Sequence, residues 1–98
     1  MKIWKYRIFV NDVVQTVQVP GADEAKVVAA RVSEFHDIIE VWIEVHPGQL
    51  IGVLEFRVFG TGHEIETTSN RQTIHTGTVF DEVLGLVWHV YQLHEVPA

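Results

Sequence analysis

The sequence predicts a mainly β protein: an antiparallel sandwich or partly open barrel of six to seven strands built from three hairpins. An α+β arrangement with one helix at about 23–35 is the alternative. Three observations point there. Apolar residues recur at every second position over several stretches, which is the period of a half-buried strand. Turn-forming pairs, Asn11-Asp12, Pro20-Gly21 and Pro47-Gly48, punctuate those stretches. Only residues 22–35 read equally well at helical spacing. With 98 residues the chain makes one domain, 1–98, whose last residues, 92–98, read as a short tail. A domain of this size buries somewhat over ~60% of its unfolded surface and folds without staples.

The first stretch, IWKYRIFV, puts Trp4, Tyr6, Ile8 and Val10 on one side and Ile3, Lys5, Arg7 and Phe9 on the other. Asn11-Asp12 reads as a two-residue turn into VVQTVQV, pairing Tyr6 with Val17 and Trp4 with Val19. In the second hairpin, Pro47-Gly48 suits the centre of a type II turn, because proline presets φ and glycine supplies the positive φ that follows. That turn would pair Val45 with Leu50, Ile43 with Gly52, Val41 with Leu54 and Ile39 with Phe56. It would also set Glu40 opposite Glu55, a repulsive like-charge pair.

The third hairpin joins QTIHTGTVF to LVWHVYQL through residues 81–85. With Phe80 paired to Leu86, Thr78, Trp88 and Val90 share one face, and His75, Gly77, Val79, Val87, His89 and Tyr91 share the other. A slip of one residue would exchange the faces. Trp4, Val41 and Trp88 are expected together in the interior. Residues 22–36 stay open between two readings. Asp23 caps a helix with Ala25, Val28, Ala29, Val32 and Phe35 on one face, while Val28, Ala30 and Val32 equally line a strand.

Composition narrows the function classes. The absence of cysteine excludes disulfides, iron–sulfur clusters and thiolate zinc sites, and fits an intracellular protein. A net charge of -6, with seven Lys and Arg scattered along the chain, speaks against nucleic acid as a partner, because phosphate binding rests on clustered cations. No apolar run approaches the ~20 residues of a membrane span, and the N-terminus alternates where a signal peptide would be uniformly apolar. The expected location is the cytoplasm.

The succession KIWKYRIFV, QVPGA, FRVFGTGHEI, HTGTVF and LVWHVYQL resembles a family of small uncharacterised bacteriophage proteins. There an I-W-K-Y start, a proline-glycine-alanine step, R-[IV]-[FY]-G-T-G-H, a later I-G-T segment and a closing L-V-[FW]-H-V recur in this order. The resemblance covers nearly the whole chain. It implies a phage origin with expression in the host cytoplasm, a strand at Lys26 to Ser33, and no particular activity.

Candidate ligand-binding residues are Gly60, Thr61, Gly62 and His63 together with His75 and His89. The Gly-Thr-Gly-His stretch follows a strand, but no apolar helical stripe and no nearby lysine follow it, so it lacks what a phosphate loop needs. Its glycines serve turns first. His75 and His89 fall diagonally on one face and would chelate zinc if His63 or a carboxylate joined them. No HxH, HExxH or HxxxH spacing supports that, so no metal and no cofactor are expected.

The hydroxyls Thr61, Thr67, Thr68, Ser69, Thr76 and Thr78 lack a nucleophile elbow, and Glu64 and Glu66 read as solvated, so no enzyme activity is expected. Ile38, Trp42, Ile51, Val53, Val87 and Tyr91 form a candidate interface on outward faces. These features predict a non-enzymatic phage accessory protein that binds a host protein or forms a homo-oligomer. The alternatives are a binder of a small nucleotide-like ligand and a minor virion component.

Overall fold

The computed structural model describes residues 1–11, 13–62 and 71–95, without the side chains of Arg71, His94 and Glu95. Among them are seven strands: β1 (Lys2–Phe9), β2 (Gln15–Pro20), β3 (Lys26–Val32), β4 (Ile38–Val45), β5 (Ile51–Gly60), β6 (Arg71–Asp81) and β7 (Leu86–Glu95). They form two antiparallel sheets, β1-β4-β3 and β2-β5-β7-β6. The sheets face each other as a sandwich, as the period-two patterning predicts. No helix among the described residues is long and apolar enough to cross a membrane.

Residues 22–36 hold no α-helix. A single 3-10 turn at Ala22–Glu24 leads into β3, so β-branched valines and tertiary pairing with β4 override the local helical spacing.

Both inner faces supply the core. Ile8, Ile39, Val41, Ile43 and Val45 come from one sheet, and Val19, Leu54, Phe56, Val58, Val79 and Val90 from the other. Trp88 packs partly buried against this cluster. Trp4, expected inside, is 41% exposed. It stands on the edge strand β1, opposite Ile43, with no strand among the described residues on its other side.

The faces follow the alternation, but two of the three expected hairpins are not hairpins. β1 pairs with β4 (Tyr6 with Val41, Ile8 with Ile39), and β2 pairs with β5 (Val17 with Leu54, Val19 with Gly52). The chain therefore passes from one sheet to the other between β1 and β2. Val10 donates its N–H to the Asp37 carbonyl. The Gln15 carboxamide accepts the Phe9 N–H at 2.5 Å and donates to the Phe9 carbonyl at 2.6 Å, standing in for a neighbouring strand at that end of β1. Asp12, half of the expected turn, lies outside the described residues.

The Pro47-Gly48 turn does form. Gly48 has φ 95°, and the Gln49 N–H donates to the His46 carbonyl at 3.1 Å. Its strands separate nonetheless, because the backbone twist of a type II turn does not match that of a two-stranded ribbon and splays the flanks. The end of β2 fills the gap: His46 N–H donates to the Pro20 carbonyl and Gly21 N–H to the Leu50 carbonyl. Glu40 and Glu55 consequently lie in different sheets, and the expected repulsion between them is absent.

The β6–β7 hairpin forms with a register one residue away from the expectation. Phe80 pairs with Val87 and Asp81 with Leu86, closing a shorter turn. Val79 and Gly77 therefore face inward, opposite Trp88 and Val90, while Thr78 faces outward with His89. A bulge between His75 and Gly77 then absorbs one residue and returns His75 to the outer face, opposite Tyr91.

Candidate functional site

On the outer face of β2-β5-β7-β6, three strands bring four side chains into one hydrogen-bonded chain. Thr61, just past the end of β5, lies 3.0 Å from His89 Nε2 through its Oγ1. His89 Nδ1 lies 3.3 Å from Thr78 Oγ1, and the same oxygen lies 2.9 Å from His75 Nε2. Each hydroxyl carries one proton, so with both imidazoles neutral the chain can run in either direction. In one, His89 Nδ1–H donates to Thr78, whose hydroxyl donates to His75. In the other, His75 Nε2–H donates to Thr78, whose hydroxyl donates to His89, and His89 Nε2–H donates to Thr61. The chain thus presents a reversible set of donors and acceptors.

Rings flank it. His75 and His89 have centroids 6.2 Å apart, and Tyr91 meets His75 edge to face at 5.3 Å. Tyr91 also meets Phe59 at 5.5 Å, and the Arg57 guanidinium lies 5.0 Å from the Phe59 ring centroid. A shallow hollow of about 320 Å³, lined by Gly60, Thr61, Leu86 and Trp88 among others, opens beside Thr61.

Of the sequence-predicted ligand residues, Thr61, His75 and His89 come together here. Gly60 ends β5, Gly62 takes a turn conformation with φ 87°, and His63 lies outside the described residues. Among the described residues no group of three His, Cys, Asp or Glu gathers for a metal ion. Thr78 escaped the sequence reading because residues three apart in a regular strand point to opposite faces. Only the bulge puts it beside His75.

A second site lies at one end of the sandwich. Asp81, whose side chain is 1% exposed, accepts the N–H groups of Val83 (3.1 Å) and Leu84 (3.0 Å) through Oδ1, while Oδ2 accepts from His36 Nδ1 at 2.6 Å. The Leu84 N–H does most to hold the Asp81 carboxyl below the usual carboxylate range. Burial opposes it, and His36 and the Val83 N–H reinforce it. Gly85, with φ 68°, closes the turn. The turn so braced carries its apolar side chains outward: Phe80 is 67%, Val83 79% and Leu84 54% exposed. The exposed Phe35, in the β3–β4 turn, belongs to the same end of the molecule, and a cleft of about 560 Å³ between the two turns is lined by Arg31, Glu34, His36, Glu82 and neighbours.

Family comparison covers the full length of the chain: residues 1–98 match the family described as "Domain of unknown function (DUF7352)". The protein belongs to the DUF7352 family. No curated protein and no solved structure matches it.

The expected interface of the DUF7352 domain divides between opposite faces. Ile38 and Trp42 lie outward on β4, whereas Ile51, Val53, Val87 and Tyr91 lie outward on the other sheet, because β4 and β5 do not pair. The outer face of β1-β4-β3 holds what the sequence reading missed. Basic residues far apart in the chain, Lys5 and Arg7 on β1 and Lys26 and Arg31 on β3, flank β4 on one surface.

Glu40, almost fully buried at its centre, binds Lys5 Nζ and Arg31 Nε, each at 3.0 Å. The hydrogen bonds from Lys5 and Arg31 hold its carboxyl below the usual range, against the opposing effect of burial. The Arg31 guanidinium also lies 5.3 Å from the Trp42 ring centroid. Scattered cations become a patch only once β1 and β3 are known to flank the same strand.

Proposed function

We propose that this DUF7352 domain is a non-enzymatic protein-binding module, a small phage accessory protein acting in the host cytoplasm, and that it docks through the tip of the β6–β7 hairpin. The observation carrying this reading is the exposure of Val83 and Leu84 on a turn whose backbone is held by a buried carboxylate. Turn tips ordinarily take Gly, Asn, Asp, Pro or Ser. Large apolar side chains there lose water contact only when something covers them, and a rigid tip loses little entropy on docking. The phage setting is supported by the sequence resemblance.

A photo-crosslinking residue at Val83, compared with one at Gln18 on β2, tests the reading in infected-cell lysate and with purified protein. Val83-specific adducts, reduced by Leu84→Ser, are expected. Equal labelling at both positions would discard the hairpin tip as a docking element.

A second reading, binding of a small polar ligand such as a nucleotide, is supported by the Thr61–His89–Thr78–His75 chain beside its hollow. It requires a thermal shift with some ligand that disappears in Thr78→Val, and a flat screen removes it. The remaining reading, a minor virion component, is decided by mass spectrometry of purified particles.

A further inference from the structure

We infer that the hairpin tip docks onto a second copy of the chain, head to tail, on the outer face of β1-β4-β3. The inference rests on the protein-binding reading of the tip and names its partner. Charge is distributed unevenly over the fold. The turns at 33–37 and 82–85 carry the acids Glu34, Asp37 and Glu82 and no Lys or Arg, while Asp81 is buried in its own bonds and Arg31 borders the cleft between the turns. Beside these acids project Phe35, Phe80, Val83 and Leu84.

The outer face of β1-β4-β3 is the counterpart. Cross-strand rows there set Lys5 beside Trp42, Arg7 beside Glu40, Phe9 beside Ile38 and Lys26 beside Glu44. Its four Lys and Arg outnumber its two carboxylates, so it is a net-positive surface on a chain of net charge -6. Apolar Ile3 and Phe9 are exposed at its margins, and Trp42 is half-buried at its centre. An acidic-rimmed apolar knob and a basic-rimmed apolar face therefore exist on one molecule, at different places, with opposite sign.

The chemistry favours this occupant over two others. A polyanion would find Lys5 and Arg31 already engaged by Glu40, with few free cations left to neutralise phosphates. An anionic lipid surface would be repelled by the carboxylates around the tip. Because knob and face are different surfaces, the contact is heterologous, and a pair of copies keeps one free knob and one free face. Short open chains or a closed ring result. The small area at a hairpin tip makes the contact weak, with dissociation constants of about 10 μM to 1 mM.

Sedimentation velocity of the full chain, alone and as variants whose circular dichroism matches the wild type, tests this. The wild-type mass average rises with concentration through that range and falls when salt is raised. Knob variant Val83→Ser/Leu84→Ser and face variant Arg7→Gln/Lys26→Gln each weaken association by about tenfold or more. Their equimolar mixture recovers association but stops at a one-to-one dimer, because only one intact knob and one intact face remain.

Variants that associate like the wild type, or a mixture that stays monomeric while the wild type assembles, would overturn the head-to-tail contact. A wild type monomeric throughout overturns self-docking alone. Val83 crosslinking to another protein would then leave the broader reading standing, whereas its absence would remove both.

Discussion

His36 Nδ1 donates to Asp81 Oδ2 across 2.6 Å, tying the turn after β3 in one sheet to the end of β6 in the other. The carboxylate on which it closes also orders the hairpin tip, so one ionised group supports both the union of the sheets and the docking element.

Acid should loosen this end first. Asp81 and Glu40 both have folded-state pKa values below the ordinary carboxylate range, set by backbone N–H groups and His36 in one case and by Lys5 and Arg31 in the other. Their stabilisation is complete above the unfolded carboxyl value, about pH 4, and is lost as pH falls through the lower folded values. Urea melts between about pH 2 and 7 should therefore show stability declining below pH 4. The decline should be shallower in Asp81→Asn and shallower again with Glu40→Gln added. An unchanged slope in the double variant would mean that neither carboxylate governs acid stability.

Gly52 is expected to resist substitution. A Cβ built there would lie 2.7 Å from the Ala22 Cβ, because the 3-10 turn packs directly on β5. Gly52→Ala should cost about 1–3 kcal/mol by overpacking. In a double-mutant cycle with Ala22→Gly, a favourable coupling of about 0.5 kcal/mol or more should appear. Strict additivity in denaturant melts would contradict the contact.

Tyr6 offers the opposite case. Its hydroxyl oxygen is shielded from solvent with no hydrogen-bond partner among the described residues, and burial raises the phenol pKa. Tyr6→Phe removes a polar atom that lost its water on folding. Stability should be unchanged or higher by up to about 1 kcal/mol. A loss larger than that, measured by thermal unfolding, would show that the hydroxyl is bonded.

The histidine–threonine chain makes a connectivity prediction. Thr78→Val should move the imidazole nitrogen resonances of both His75 and His89, since Thr78 Oγ1 meets both. Thr61→Val should move those of His89 more than those of His75. Long-range proton–nitrogen NMR correlations read both, and independent responses of the two rings to Thr78→Val would break the chain into separate contacts.

Strand positions and faces were legible because side-chain alternation is local: Tyr6 with Ile8, and Ile39 with Val41, point inward as the period requires. Which strands lie side by side was not legible, because alternation is equally satisfied by a hairpin and by an arch. The Pro47-Gly48 turn is legible from its two residues alone. Its tendency to splay strands is the local reason that β4 and β5 part company. The one-residue error in β6 had a local cause as well: Asp81 serves both as the last paired residue and as the acceptor for the turn, which shortens the connection. The bulge near Thr76 then kept His75 and His89 together, so that part of the candidate site survived a register that did not.

The separation of β1 and β2 into different sheets has a temporal consequence. Lys2 reaches its partner Val45, and Gln15 its partner Phe56, only after most of the intervening chain exists. During synthesis the first strand therefore leaves the ribosome without a mate, and its ladder can close only when β4 follows. Distant pairings of this kind place folding in the millisecond-to-second regime of β-sandwiches. Until β4 arrives, the nascent β1 is open to capture by any other extended chain.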